Sequence, residues 1–144
     1  MTTKTAPSEV VRIGKVECLF LAEGGEGTSR TAFELTVGSS AAVPEAHFHN
    51  DVDELVYGLE GALTYTLDGV PHVLASGDSL IVPRGHVHAF KNDAQAPARA
   101  LIVLTPGDIG AEFFREVGSI VNAGGKPDLA KIRETMLRYG LTPA

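Results

Sequence analysis

A chain of 144 residues with 44% hydrophobic residues and a formal net charge of −6 has the length and composition of a small globular protein. The acidic balance argues against nucleic acid as a partner, since binding phosphates needs a basic surface, and no apolar run is long enough to predict a membrane partner. Because Cys18 is the single cysteine and residues 1–11 lack the apolar core of a signal peptide, the expected location is the reducing cytoplasm.

Short strands separated by turns are predicted for most of the chain, because 16 glycines and 8 prolines accompany only 6% aromatic residues. Residues 1–9 are predicted to form a loose arm, and the Gly-Gly-Glu-Gly segment 24–27 a turn. Alternation of apolar and polar residues predicts strand structure within 10–22 and over 31–37. The residues expected on the buried faces of these two segments are Val16, Cys18 and Phe20, then Phe33, Leu35 and Val37.

A β-hairpin is predicted over residues 63–74. Its turn would be Asp68-Gly69, a dipeptide preferred where both turn residues need positive φ angles. This register pairs Leu67 with Val70, Tyr65 with His72 and Leu63 with Leu74. For Tyr65 and His72, packing or an oligomer contact is the expected role.

Further strands are predicted over 80–83, 86–92 and 98–104, and the apolar period becomes helical after Pro106-Gly107. The first helix is expected to start at an Asp108 N-cap and to stop at Gly118. The second is expected from residue 127 or 128 to 139, ending at Gly140. Many short strands followed by two helices predict an all-β barrel or sandwich with a helical C-terminal appendage.

Four of the five histidines lie in two short windows, and they predict a metal site. On a strand, His47 and His49 share one face, with Cα atoms about 6.6 Å apart at a rise of about 3.3 Å per residue. That spacing lets both rings converge on one ion at about 2.0–2.2 Å. Glu54 and His88 would have to come from neighbouring strands. A single strand histidine is more often structural than a ligand, so the prediction depends on the whole set.

The same two windows resemble the two sequence motifs of the cupins. The first window contains His47-Phe48-His49, a four-residue spacer, Glu54, six further residues and Gly61. The second window contains Gly77, Pro83-Arg84-Gly85, His88 and Asn92. One departure is Ala41, where the first motif usually opens with a glycine; this position affects a turn and no ligand.

The resemblance implies a cupin fold, which is a double-stranded β-helix or jelly-roll barrel, with a short C-terminal helical segment. It implies a single domain over 1–144, with the core barrel at about 10–106 and helices at about 108–140. The tail is similar to small bacterial cupins described as quercetin dioxygenase-like, and cupins of this size are frequently homodimers. The tail helices could therefore close the barrel mouth as a lid or pack on a partner subunit.

For the metal, the resemblance implies one divalent transition ion with His47, His49, Glu54 and His88 as ligands and with positions left open. Histidine and carboxylate ligands without thiolate suit Fe, Mn, Ni, Co, Cu or Zn. The leading hypothesis is a mononuclear metal dioxygenase that acts on a small aromatic or enediol compound, with Glu54 as a ligand and candidate base. A non-redox metal isomerase or lyase, and a non-catalytic module that binds a small molecule, are the alternatives.

Four further residues are candidates for the site. On an unbroken strand His86 would share the inward face of His88, either as a rim residue bonded to the backbone or as a catalytic acid/base. Phe90 would share that face too, as core or as a wall of the substrate pocket. Phe33 and Leu35 have the same two interpretations.

Overall fold

The computed structural model describes residues 4, 6–7, 9–24, 29–43 and 45–144. The predicted turn at 24–27 and arm at 1–9 therefore fall partly outside the described residues. Eleven strands and two helices lie within the described part. In chain order they are β1 (Glu9–Ile13), β2 (Val16–Ala22), β3 (Thr31–Val37), β4 (His47–His49), β5 (Asp53–Glu60), β6 (Leu63–Leu67), β7 (Val70–Leu74), β8 (Ser79–Val82), β9 (His88–Lys91), β10 (Ala98–Thr105), α1 (Ala111–Val121), α2 (Leu129–Arg138) and β11 (Leu141–Pro143).

The strands form two antiparallel sheets that enclose the core. The six-stranded sheet has the order β1-β2-β3-β10-β5-β8, and the five-stranded sheet has the order β11-β4-β9-β6-β7. Two helices follow the tenth strand, so the predicted all-β barrel with a C-terminal helical segment is confirmed. Neither helix is long and apolar enough to cross a membrane, within the residues described.

Alternation sets the inward face of the large sheet. Cys18 and Phe20 on β2 are 1% and 0% exposed, and Phe33 and Leu35 on β3 are 4% and 2% exposed. The two strands are paired, with Phe20 opposite Phe33 and Cys18 opposite Leu35. Because side chains alternate between faces, this pairing directs all four side chains into the barrel interior.

The hairpin forms in the predicted register. Leu63 pairs with Leu74, Tyr65 with His72 and Leu67 with Val70. Asp68 and Gly69 have φ angles of 49° and 83°, which is the left-handed pair that a two-residue hairpin turn requires. This turn chemistry directs Tyr65 inward, where it is 2% exposed.

Both predicted boundaries of the first helix are wrong. The N-cap is Gly110 instead of Asp108, and the first helical amide, that of Ala111, donates to Glu23 Oε1 at 2.8 Å. The helix also continues through Gly118, where an added Cβ would lie 2.9 Å from the Arg12 carbonyl oxygen. The glycine therefore permits close packing of α1 on β1 and does not end the helix.

The second helix begins and ends as predicted. Asp128 is its N-cap, and the carboxylate accepts a hydrogen bond from the Lys131 amide at 3.2 Å. Gly140, with a φ of 82°, follows the C-cap. The sequence analysis missed the strand that comes next, β11, which pairs with β4 along its whole length.

Candidate metal centre

Three histidines converge on one point from two adjacent strands of the smaller sheet. His47 and His49 lie on β4, His88 is the first residue of β9, and His47 pairs directly with His88. Each ring offers a nitrogen, and the three nitrogens lie within 4.8 Å of one another. This grouping of the predicted ligands could hold a metal ion.

Glu54 reaches the histidines from the opposite sheet, since it is the second residue of β5. Its carboxylate is buried, with Oε1 3.8 Å from His88 Nε2 and Oε2 accepting a 2.9 Å hydrogen bond from the Tyr65 hydroxyl. Burial raises the pKa of Glu54, while His88 and the Tyr65 hydrogen bond act in the opposite direction. The structure therefore brings all four predicted ligands to one region.

Backbone carbonyls fix the tautomers of two of the histidines. The Nδ1–H of His47 donates to the Glu45 carbonyl and that of His88 to the His86 carbonyl, both at 3.0 Å. A carbonyl oxygen only accepts, so the proton of each neutral ring is on Nδ1 and the Nε2 lone pair is free. This arrangement, in which the second ring nitrogen is held by a carbonyl, is typical of histidine metal ligands.

His47 and His49 are suited to a cation in their neutral form. Burial, followed by the charge of His88, lowers the pKa of His47 to about 4 and that of His49 to about 2. Within the described part of the chain, His49 Nδ1 is the buried side-chain nitrogen that lacks a hydrogen-bond partner. Neutral imidazoles beside a carboxylate fit a divalent transition metal, and these donor types do not select one ion.

A cavity of about 320 Å³ adjoins these residues. Its lining includes Phe33, Leu35 and Phe90, so all three residues predicted for a substrate pocket contact this space. The tail also contributes, through Phe113, Phe114 and Val117 of α1, Met136 of α2 and Leu141 of β11. The tail helices therefore form part of the wall of this cavity.

His86 does not share the inward face of His88, and that expectation is wrong. The strand begins only at His88, after the turn that contains Pro83-Arg84-Gly85. His86 therefore lies outside the strand, and strand alternation does not direct its side chain inward. Its exposed side chain has Nδ1 2.6 Å from Asp68 Oδ2. Only the backbone of His86 contributes to the site, through the carbonyl that holds His88.

Tyr65 is the polar residue of the site whose role the sequence analysis missed. Its hydroxyl contacts Glu54, its ring lies near that of His88 with centroids 6.5 Å apart, and it lines the cavity. Leu63, Tyr65 and Leu67 alternate with Thr64 and Thr66, a pattern that puts the three larger side chains on one face of the strand. A buried tyrosine hydroxyl normally finds a partner, and this rule was the available indication of a role in the site.

Comparison with known proteins identifies a family and several relatives. The family described as "Cupin domain" matches residues 33–104, which contain His47, His49, Glu54 and His88. "Protein SchB" from Streptomyces halstedii is 38% identical over 82 residues, which are 54% of this chain and 59% of that protein. Quercetin 2,3-dioxygenase from Bacillus subtilis (strain 168) is 38% identical over 72 residues, which are 50% of this chain and 21% of that enzyme.

Among solved structures, a sugar phosphate isomerase of the cupin superfamily from Silicibacter pomeroyi has a TM-score of 0.59 and 29% identity. The similarity covers 65% of this chain and 60% of that one. The chain thus matches less than two thirds of the length of each of these relatives. The relatives named are of more than one reaction class.

Proposed function

The chain belongs to the cupin domain family, and we propose that it is a metal-dependent enzyme, most specifically a mononuclear metal dioxygenase that acts on a small aromatic or enediol compound. The observation that supports this proposal is the position of three histidines and one glutamate at the wall of an apolar cavity. A metal whose only role is structural would not need an adjoining cavity. The similarity to quercetin 2,3-dioxygenase supports the oxidative reaction class.

His47, His49, His88 and Glu54 would hold the metal. When bound, a divalent ion (Fe, Mn, Ni, Co, Cu or Zn) would supply a Lewis acid that lowers the proton affinity of adjacent substrate oxygens. The backbone carbonyls of Glu45 and His86 hold the Nδ1–H groups of two of the rings, which leaves their Nε2 atoms available as ligands. The protein thus contributes preorganisation of the ligand atoms.

Glu54 is the proposed proton acceptor. Tyr65 occupies Oε2 by its hydrogen bond, so Oε1 is the oxygen that would bind the metal and, when released from it, would accept the proton of a substrate hydroxyl. Because burial raises its pKa, the carboxylate has a higher proton affinity than an exposed glutamate and can take up a hydroxyl proton more readily. The apolar lining of the cavity limits access of water to this proton transfer.

A non-redox isomerase or lyase is the second candidate, supported by the similarity to a sugar phosphate isomerase. Removal by Glu54 of a proton from a carbon next to a substrate carbonyl, followed by return of that proton to the neighbouring carbon, would give isomerisation without dioxygen. A homodimer, a cytoplasmic location and a single domain over residues 1–144 are also proposals that the resemblance to small cupins supports.

Metal analysis combined with oxygen-uptake measurements tests the proposal. Protein purified without chelator is analysed for metals, and oxygen uptake is followed with vicinal aromatic diols as substrates. We expect near-stoichiometric metal and oxygen consumption, both lost in His49→Ala. His72→Ala is the matched control, since His72 lies on β7 and does not line the cavity. Turnover that persists without oxygen would support the isomerase or lyase, whereas metal-free, inactive protein that still binds the diols would indicate a binding module.

A further inference from the structure

The cavity beside the metal centre is apolar over nearly all of its wall. Polar and charged side chains are concentrated at one place, the three histidines with Glu54 and Tyr65. Elsewhere the lining consists mainly of aliphatic and aromatic side chains contributed by both sheets and by the tail. Representative members are Phe33, Leu35, Ile102, Leu104, Phe113 and Met136.

Apart from the metal centre, two charged side chains line the cavity in the described part of the chain, and neither is a buried cationic partner for an anion. Lys15 is exposed, and its ammonium lies 3.5 Å from the Ser39 carbonyl oxygen. Glu45 is itself an anion and is paired with Arg133 at 3.1 Å. Away from the metal centre, a phosphate or carboxylate on a ligand would lose its hydration against an apolar wall where the exposed Lys15 is the one cationic side chain described, which is unfavourable.

A sugar would meet the same difficulty with its hydroxyl groups. Each hydroxyl that leaves water needs a hydrogen-bond partner, and burial without one costs about 1–3 kcal/mol. Beyond the metal centre, the lining side chains are mainly hydrocarbon. Only the part of a ligand that reaches the metal centre can therefore be oxygen-rich.

Aromatic rings face the cavity from both sheets. On the larger sheet and α1, Phe33 and Phe113 each contact Phe114, with ring centroids 5.2 Å and 5.1 Å apart. On the smaller sheet, Tyr65 and Phe90 form a second pair with centroids 5.6 Å apart. Walls of this kind favour flat rings, which gain edge and face contacts in addition to area burial.

The size of the cavity limits the ligand further. A dry cavity of about 150 Å³ lined by aliphatic and aromatic side chains holds one benzene molecule. At about 320 Å³, this cavity has room for roughly two or three fused rings. A single ring would leave much of the apolar wall without contacts.

From these features we infer that the ligand is an uncharged, flat compound of two or three fused rings, with adjacent oxygens at the end that meets the metal centre. This inference rests on the proposed function for the role of the oxygens. The ring system is recognised by the apolar wall alone, so affinity for it does not depend on the metal. The same wall disfavours ligands whose charged groups lie away from the metal centre, such as sugar phosphates.

Calorimetric titration of the purified holoprotein tests the inference with four probes. They are catechol, the naphthalenediol with adjacent hydroxyls, unsubstituted naphthalene and glucose 6-phosphate. The added ring buries four more carbons, so we expect the naphthalenediol to bind about 10- to 100-fold more tightly than catechol. Naphthalene should bind measurably, and glucose 6-phosphate should not bind. Equal or tighter binding of catechol or of glucose 6-phosphate would overturn the inference.

Two variants that reduce the cavity volume locate the binding site. Val121 on α1 and Val43 both line the cavity and are partly accessible, so Val121→Trp and Val43→Phe should each weaken binding of the naphthalenediol by about tenfold or more. Leu137→Trp is the matched control, since Leu137 is 61% exposed on α2 and lies outside the cavity lining. If the control weakens binding as much as both filling variants do, the ligand lies elsewhere and the inference is wrong.

Removal of the metal separates this inference from the proposed function. After treatment with a chelator, naphthalene should bind as before, while the naphthalenediol should lose the part of its affinity that comes from its oxygens. If the protein proves to hold no metal yet binds naphthalene in the cavity, the proposed enzyme fails and the ligand class stands. If metal and turnover are found with sugar phosphates as substrates, the enzyme stands and the ligand class fails.

Discussion

Leu141 lies directly opposite His49 in the antiparallel pairing of β11 with β4. Backbone hydrogen bonds continue this pairing on both sides, from the Asn50 amide to the Gly140 carbonyl at 2.9 Å and from the Ala144 amide to the Ala46 carbonyl at 3.0 Å. On its other edge, β4 pairs with β9 through one residue pair, His47 and His88. The strand that carries two of the candidate ligands is thus held mainly by the segment that follows α2.

Deletion of residues 141–144 should therefore weaken metal binding. Without β11, the three-residue β4 loses its main pairing partner, and His47 and His49 lose their fixed orientation. We expect metal affinity to fall about 10- to 100-fold, as it does when groups that orient ligands are removed. Competition with a chromogenic chelator measures the affinity.

Leu141→Ala is the control for this deletion, because it keeps the backbone pairing and removes only a buried side chain that is 2% exposed. It should lower the free energy of unfolding by about 2–5 kcal/mol but leave metal affinity near that of the parent. Equal metal affinity in the deletion variant and the parent would show that β4 keeps its place without β11.

Tyr65→Phe should impair the site without unfolding the barrel. The variant leaves Glu54 Oε2 buried and without its hydrogen-bond donor, at a cost of about 1–3 kcal/mol in stability. The carboxylate is then free to rotate, so we expect kcat to fall about tenfold with KM changed less, since a positioning contact is lost in the transition state. Tyr57→Phe is the matched control, since Tyr57 is 41% exposed on the same strand as Glu54. Identical kinetics for the two variants would show that the Tyr65 hydroxyl does not position Glu54 for catalysis.

His86→Ala should leave metal content and turnover within about twofold of the parent, since the exposed His86 ring contacts Asp68 and not the cavity. The contact that matters, from His88 Nδ1–H to the His86 carbonyl, is made by the backbone and survives the substitution. Kinetic measurement beside His88→Ala, which should lose metal and activity, gives the comparison. A large loss of activity with full metal content in His86→Ala would restore the catalytic role considered for its side chain.

The sequence specified the metal motif and the hairpin because both depend on local chemistry. The spacing of His47 and His49 and the Asp68-Gly69 turn are each fixed by a few neighbouring residues, and the observed strands agree with them. The position of His86 depended on where β9 begins, which is set by tertiary pairing with β4 and β6. Pairing between distant segments likewise determines β11, which is too short to show a periodic pattern.

The contact of Tyr65 with Glu54 joins strands of different sheets, and local patterns do not report such contacts. The boundaries of α1 have a similar origin. Gly118 would favour a helix end on local grounds, but its approach to the Arg12 carbonyl, more than a hundred residues away in the chain, makes it an interior packing position. Local sequence chemistry thus identified the candidate ligands, while long-range pairing determines their surroundings.

The metal-free protein should lose stability on mild acidification. The pKa values of His47 and His49 are lowered to about 4 and about 2 in the folded state, against 6.5 for an unperturbed histidine. Below pH 6.5 the unfolded chain therefore takes up protons that the folded chain does not bind, which favours unfolding. Stability is fully present above pH 6.5 and falls as the pH drops towards 4, by about 1.4 kcal/mol per pH unit for each histidine.

Glu54 acts in the opposite direction over part of this range. Its pKa is raised in the folded state, so the folded protein gains a proton before the unfolded chain does, and acidification there is stabilising. Because two histidines outweigh one carboxyl group, the free energy of unfolding should still decrease on acidification. We expect the decrease to be about 1–3 kcal/mol between pH 6.5 and 5.5. Urea unfolding in the presence of a chelator at these two pH values measures it. In His49→Leu the loss should shrink by about 1.4 kcal/mol per pH unit, since one buried titrating ring has been removed. Equal pH dependence in the parent and in His49→Leu would mean that His49 is accessible to protons in the folded state.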